Sequence, residues 1–153
     1  MTDLQKDLRL TVRSDPKLLA AIRSLVRGWV ESCEIDAKTA NDVVLAIDEA
    51  CTNAIRHAYR GRSDGSVELT LHAEPDWLAF QVSDQGEPCP PECTTRRKLE
   101  APEMDDLQPG GLGIQLIHRV FDEVDFCPGV SGGNCVTMRL NRSRVRENHG
   151  SDD

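Results

Sequence analysis

Glu49 and Asn53 stand four residues apart in a stretch whose apolar residues recur at helical spacing, so one turn separates their side chains on a shared face. A carboxylate and an amide so placed at the edge of a core can address one ligand together. The amide oxygen suits a hard cation such as Mg2+, and the carboxylate can take a proton from a hydroxyl or a water. Asp42, Ala46 and His57 fall on the same stripe. An ordinary polar border on an amphipathic helix has this spacing too, and His57 by itself also fits a histidine satisfied at that border.

Two further segments carry chemistry. Asp84 closes an alternating run and is followed by Gln85-Gly86, where a missing Cβ lets backbone approach a flat ligand while the carboxylate accepts from an exocyclic amine. The same trio is common turn chemistry. Gly110-Gly111-Leu112-Gly113 opens a helical pattern, so unpaired N–H groups and the positive end of the helix dipole can receive phosphate oxygens. It has neither the Lys-Ser/Thr of a P-loop nor the preceding strand of a dinucleotide fingerprint, and close helix packing is the other use of such glycines.

The elements that must carry these residues follow from periodicity. Residues 8–14 alternate as a half-buried strand, and Asp15-Pro16 can cap and begin an amphipathic helix running to about Cys33. Apolar residues from Ala40 to Ala58 predict a second, longer helix that ends near Arg60-Gly61. Residues 66–73 and 77–83 alternate as a hairpin around Glu74-Pro75-Asp76. Residues 85–110 hold several prolines and scattered charges without periodicity, and a connection beyond about 12–15 residues is usually a lid or a binding loop. A third helix over 110–120 and strands over 121–126 and 135–140 complete the order, with a polar, frayed tail over 142–153. This order predicts an α+β fold, a two-layer α/β sandwich with a mixed or antiparallel sheet and helices on one face.

With 153 residues, 39% of them hydrophobic and 29% charged, the chain suits one globular domain. Aromatics make up 4%, so the core must come mainly from Leu, Val, Ile and Ala. Against 26 acidic residues stand 18 Lys and Arg, a net charge of −8 that repels nucleic-acid phosphates and anionic lipid, so neither is an expected partner. The start has no signal-peptide core, and no apolar run approaches the ~18 residues of a membrane span, which points to the cytoplasm. There the six cysteines are expected as plain thiols rather than a zinc site, since Cys89 and Cys93 enclose three residues and Cys127 and Cys135 seven. His72 and His118 have no convergent partner in the sequence, and Arg96-Arg97-Lys98 reads as a solvated run able to touch phosphate or an acidic partner.

Taken in chain order, the stretch from Glu49 through Asn53 and His57 to Ala58, then Asp84-Gln85-Gly86, then Gly110-Gly111-Leu112-Gly113-Ile114 resemble the N, G1 and G2 boxes of the GHKL ATPase superfamily. Asp48-Glu49-Ala50-Cys51-Thr52-Asn53-Ala54-Ile55 looks most like the bacterial anti-sigma-factor serine-protein kinases. The resemblance implies a Bergerat-type ATP site over 1–141 with a lid at 87–109. It implies Glu49 as general base, Asn53 holding Mg2+, Asp84 on the adenine amino group and Gly86 beneath the base. Gly110, Gly111, Leu112 and Gly113 would meet the phosphates, with His57 near them and Asn134 near the adenine. Implied partners are a sigma factor and a STAS-type anti-anti-sigma protein, phosphorylated on serine or threonine, with the kinase a homodimer.

Two departures stand out. Pro88 occupies a place where the superfamily often has a second glycine, and Gly133-Asn134 replaces the usual Gly-Thr of the last strand. An alternative reading is a module that sequesters its protein partner, with or without nucleotide, and transfers nothing. A histidine-kinase ATP domain is the third, though the chain has no room for a helical hairpin with a phosphoacceptor histidine.

Overall fold

The computed structural model describes residues 6–90, 111–128 and 132–143. Strand β1, Lys6–Arg13, leads to Asp15, whose carboxylate accepts from Lys17 N at 3.0 Å. This cap and Pro16 start a short 3-10 turn, Pro16–Leu18, which feeds α1, Leu19–Glu31. Helix α2, Ala37–Thr52, is capped by Asp36, which accepts from Thr39 N at 2.8 Å and from Thr39 Oγ1 at 2.7 Å.

The periodicity predicts one uninterrupted helix to Ala58, but its last part, Asn53–Ala58, is π-helical. A wider turn of this kind is frequent at functional sites. It ends beside Tyr59, whose hydroxyl donates to Ser66 O at 2.6 Å and accepts from Gln85 N at 2.7 Å. One phenol therefore joins the helix end to the start of β2 and to the residue after β3.

Strands β2, Ser66–Ala73, and β3, Trp77–Asp84, form the expected hairpin. Helix α3, Gly111–Val120, is followed by β4, Glu123–Pro128, and β5, Asn134–Asn141. Residue 121 was expected to open β4. Instead Phe121 N bonds to Ile117 O, and the ring packs in the core 5.5 Å from that of Phe80. Arg142, placed by the sequence at the head of a polar tail, donates to Glu74 O at 2.8 Å and to Cys33 O at 3.0 Å. Residues 144–153 lie outside the described residues.

The sheet runs β1-β2-β3-β5-β4 with every ladder antiparallel, so the antiparallel form of the expectation holds rather than the mixed one. Along β2 and β3 alternate residues are buried, among them Val67, Leu69, Leu71, Leu78, Phe80 and Val82. They form one core with Ile22, Val26 and Val30 of α1, Val43 and Ile47 of α2 and Ile117 of α3. Among the described residues the helices cover one sheet face, the two-layer arrangement of a period-2 pattern facing period-3.6 stripes. The β3/β5 register places Asp84 opposite Asn134.

Candidate functional site

A cavity of about 760 Å³ opens between α2 with its π-helical end, α3 and the ends of β3, β4 and β5. Asn53 and His57 line it together with Asp84 and Asn134, so two separate sequence segments border one cavity. Ala50, Ala54, Val82, Ile114, Ile117 and Val136 supply an apolar lining between them. Apolar walls with a few placed polar groups are how proteins bind flat, partly polar ligands.

Asp84 is 5% exposed, and its Oδ1 accepts from Gly86 N at 2.9 Å and from Asn134 Nδ2 at 3.1 Å. Burial raises its pKa above the ordinary aspartate value, against the opposing pull of the Asn134 and Gly86 N–H groups. A carboxylate has about four lone-pair sites, so these bonds leave acceptor capacity for a ligand amine.

Gly86 lies against the end of the π-helical turn. A Cβ there would stand 2.6 Å from the carbonyl carbon of Ala58 and 2.8 Å from its Cβ, while Glu87 N donates to Ala58 O at 2.6 Å. Gly133, with φ +79°, is a left-handed position whose Cβ would collide with the Asp84 carbonyl. Both glycines thus let backbone close tightly around Asp84.

Glu49 is not among the cavity-lining residues. It sits one turn before Asn53, against the first turn of α3, where a Cβ on Gly113 would meet its carboxylate. Burial and then the charge of Asp48 raise the Glu49 pKa, and His57 lowers it. Asp48 itself is held by Arg23 of α1, Nη1 to Oδ1 at 3.2 Å. Ala46, on the expected polar stripe, is fully buried and belongs to the core. Gly111 and Leu112 form the start of α3, while Gly110, Arg96-Arg97-Lys98, Cys93 and positions 91–109 of the expected lid lie outside the described residues.

Asn134 has its amide committed to the protein. Nδ2 donates to Asp84 Oδ1 and to Glu87 O at 2.9 Å, and Oδ1 accepts from Cys89 N at 2.7 Å. Exchanging the amide atoms would set oxygen against two acceptors, so the network fixes its orientation. Both amide hydrogens are committed, so contact with a base, the expectation from sequence, is left to the second lone pair of Oδ1.

Sequence reasoning passed over Ala50, Ala54 and Ala58, although their spacing, i, i+4 and i+8 alongside Glu49, Asn53 and His57, was a legible strip of small residues. It also missed Tyr59 and the Arg60–Glu87 ion pair, whose partners come together only in the fold. His72, given no partner, lies between Asp7 and Glu74, its Nε2 3.2 Å from Glu74 Oε1. Cys33, Cys51, Cys89, Cys127 and Cys135 are free thiols, and burial pushes the Cys51 thiol up to about 12. No helix among the described residues is long and apolar enough to cross a membrane.

Comparison with known proteins gives the geometry relatives. The family described as histidine kinase-like ATPase domain matches residues 12–140. The serine-protein kinase RsbW of Bacillus licheniformis is 31% identical over 144 residues, covering 85% of this chain and 83% of that protein. RsbW of Bacillus pumilus is 30% identical, covering 90% and 88%, and RsbW of Listeria innocua 26%, covering 97% and 96%. The crystal structure of the RsbU and RsbW domains of a Mycobacterium tuberculosis protein shares the fold, with a TM-score of 0.58 at 20% identity. That match covers 88% of this chain and 32% of the longer one.

Proposed function

The chain belongs to the histidine kinase-like ATPase domain family, and from that premise we propose that it is an anti-sigma factor and ATP-dependent serine/threonine-protein kinase acting on an anti-anti-sigma partner. The observation that carries the reading is that buried Asp84, Asn53 and His57, from separate segments of the chain, line one largely apolar cavity. Gly86, closed on Ala58, and Gly133, closed on Asp84 and Gln85, hold together the chain segments that border the cavity.

In this reading Asp84 accepts from the adenine amino group while the apolar wall takes the ring faces. The N–H groups opening α3, from Gly111 through Leu112 to Gly113 and including Gly110 before them, offset phosphate charge. Asn53 would hold Mg2+ through its amide oxygen, and the bound ion supplies charge neutralisation on the phosphates. Glu49 takes the proton of the acceptor serine or threonine hydroxyl as that oxygen attacks the γ-phosphorus of ATP, whose bond to the β–γ bridging oxygen breaks to release ADP. Its raised pKa, still that of a partly buried carboxyl, makes it a better base than an exposed glutamate. His57 would offer a ring N–H to the phosphates. Phosphoryl transfer needs mainly positioning and charge neutralisation, so an acidic protein can perform it.

The partners that go with this activity are a sigma factor and a STAS-type anti-anti-sigma protein, with the kinase a cytoplasmic homodimer. One observation favours a second reading, a sequestering module without transfer: Glu49 stands beside Gly113 rather than in the cavity wall. Labelled ATP, Mg2+ and the anti-anti-sigma protein separate the two. Kinase activity predicts label on a serine or threonine with wild type, none with Glu49→Ala, and unchanged nucleotide binding by that variant. Equal labelling by both proteins removes Glu49 from the reaction, and binding without label leaves the sequestering module.

A further inference from the structure

The segment just after the adenine-side aspartate is held at both ends. Glu87 N donates to Ala58 O at 2.6 Å, and Arg60 Nη2 donates to Glu87 Oε1 at 2.8 Å, which ties the segment to the π-helical end of α2. On the other side Asn134 takes Glu87 O at 2.9 Å and Cys89 N at 2.7 Å, which ties it to β5. Glu87, Pro88, Cys89 and Pro90 line the cavity between these anchors. They form a strap along the cavity's border at the Asp84 end. Pro88 and Pro90 fix two backbone φ angles in it and remove two donors, so few other bonds can replace those of Asn134.

The geometry assigns to Asn134 a positioning role: it latches the strap Glu87–Cys89 to Asp84, and opening that latch sets how fast a nucleotide leaves the cavity. The inference rests on the nucleotide-binding reading above and goes beyond it, because Asn134 acts through the strap and touches no ligand. A threonine hydroxyl has one donor hydrogen and could not serve Asp84, Glu87 O and Cys89 N together. The amide, with two donor hydrogens and an acceptor, does so.

The test is stopped-flow release of fluorescently labelled ATP and ADP from the full chain. Losing two neutral hydrogen bonds at about 1 kcal/mol each predicts release about 10- to 30-fold faster from Asn134→Ala, equally for ATP and ADP. KM for ATP rises in step. Arg60→Gln opens the other anchor at an exposed site that cannot unfold the core, and it should speed release several-fold. Either variant releasing at the wild-type rate overturns the latch while leaving nucleotide binding intact. A kcat that falls with KM unchanged, or an altered preference between adenine and guanine nucleotides, would instead make Asn134 a ligand contact. Failure of wild type to bind either nucleotide overturns both this inference and the reading beneath it.

Discussion

Gly113 lies so close to Glu49 that a Cβ at that position would stand 3.1 Å from both the Cβ and the Cδ of the glutamate and would collide with its carboxylate. The first turn of α3 and the last turn of α2 therefore meet through a missing side chain. The carboxylate's place is set from outside its own helix. Gly113→Ala should displace Glu49 by a fraction of an ångström to an ångström, and a misplacement of that size costs up to about 100-fold in rate. Alanine favours a helix over glycine by up to about 1 kcal/mol, so the variant should not lose much stability. Loss of label transfer with a nearly unchanged Tm is the expected result, and unchanged transfer would remove the contact from the mechanism.

Asp84 couples ligand recognition to a stability cost. Burial holds its carboxyl above the ordinary aspartate value, so the folded chain binds that proton more tightly than the unfolded one. Its contribution favours the fold below the ordinary aspartate pKa and is lost as pH rises through the raised one. At neutral pH the ionised group costs stability. Asp84→Asn keeps an oxygen to accept from Gly86 N and Asn134 Nδ2 and removes the charge. Thermal unfolding at pH 7 should give a Tm above wild type, and at pH 3 the gain should vanish. Replacing a charged acceptor should weaken ATP by about 10- to 100-fold, so the Tm rise on adding nucleotide shrinks. A lower Tm without ligand would contradict the cost assigned to burial.

The pH dependence of transfer should track the charges around Glu49. The acid limb of the kcat profile reports the base in the bound complex, and for wild type it should lie above the ordinary glutamate value. Burial is the larger cause and the Asp48 charge the next, with His57 acting oppositely. Asp48→Asn should move that limb to lower pH and His57→Gln to higher pH. Breaking the half-exposed Arg23–Asp48 pair costs at most about 1 kcal/mol, so the fold survives the first change. Limbs that coincide in all three proteins would assign the titration to another group.

What could be read from sequence divides along a physical line. Both helix faces, the hairpin and the Asp15 cap follow from local periodicity and side-chain bonds within a few residues, which a linear reading can count. Asn53 and Asp84 could be singled out only in combination, since each motif alone is also an ordinary helix border or turn and it is their order along the chain that resembles the superfamily's boxes. The π-helical turn was not legible, since Asn53–Ala58 has the apolar spacing of an α-helix and its widening is stabilised from outside. Its end meets Tyr59, Gln85 and Glu87, partners that chain separation hides. The same holds for the commitment of Asn134 to three protein groups, which depends on the β3/β5 register.

Two glycines, replaced by alanine, should move stability in opposite directions. Gly28 lies in α1 with nothing within 4 Å of where a Cβ would stand, so alanine gains helix propensity without a clash. About 0.5–1 kcal/mol is expected, or roughly 1–4 °C in Tm for a chain of this size. Gly86 faces the backbone of Ala58, which cannot rotate away as a side-chain tip would. Alanine there must push the strand end from the π-helical turn and stretch the bond from Glu87 N to Ala58 O, at a cost of about 1–3 kcal/mol. The displaced atoms border the cavity, so Gly86→Ala should also weaken ATP binding, whereas Gly28→Ala should leave it unchanged. Calorimetry with and without nucleotide reads both quantities. A Gly86→Ala protein that unfolds at the wild-type temperature and binds ATP normally would mean that strand end and helix end can separate freely, and the close contact at Ala58 would then have no part in shaping the site.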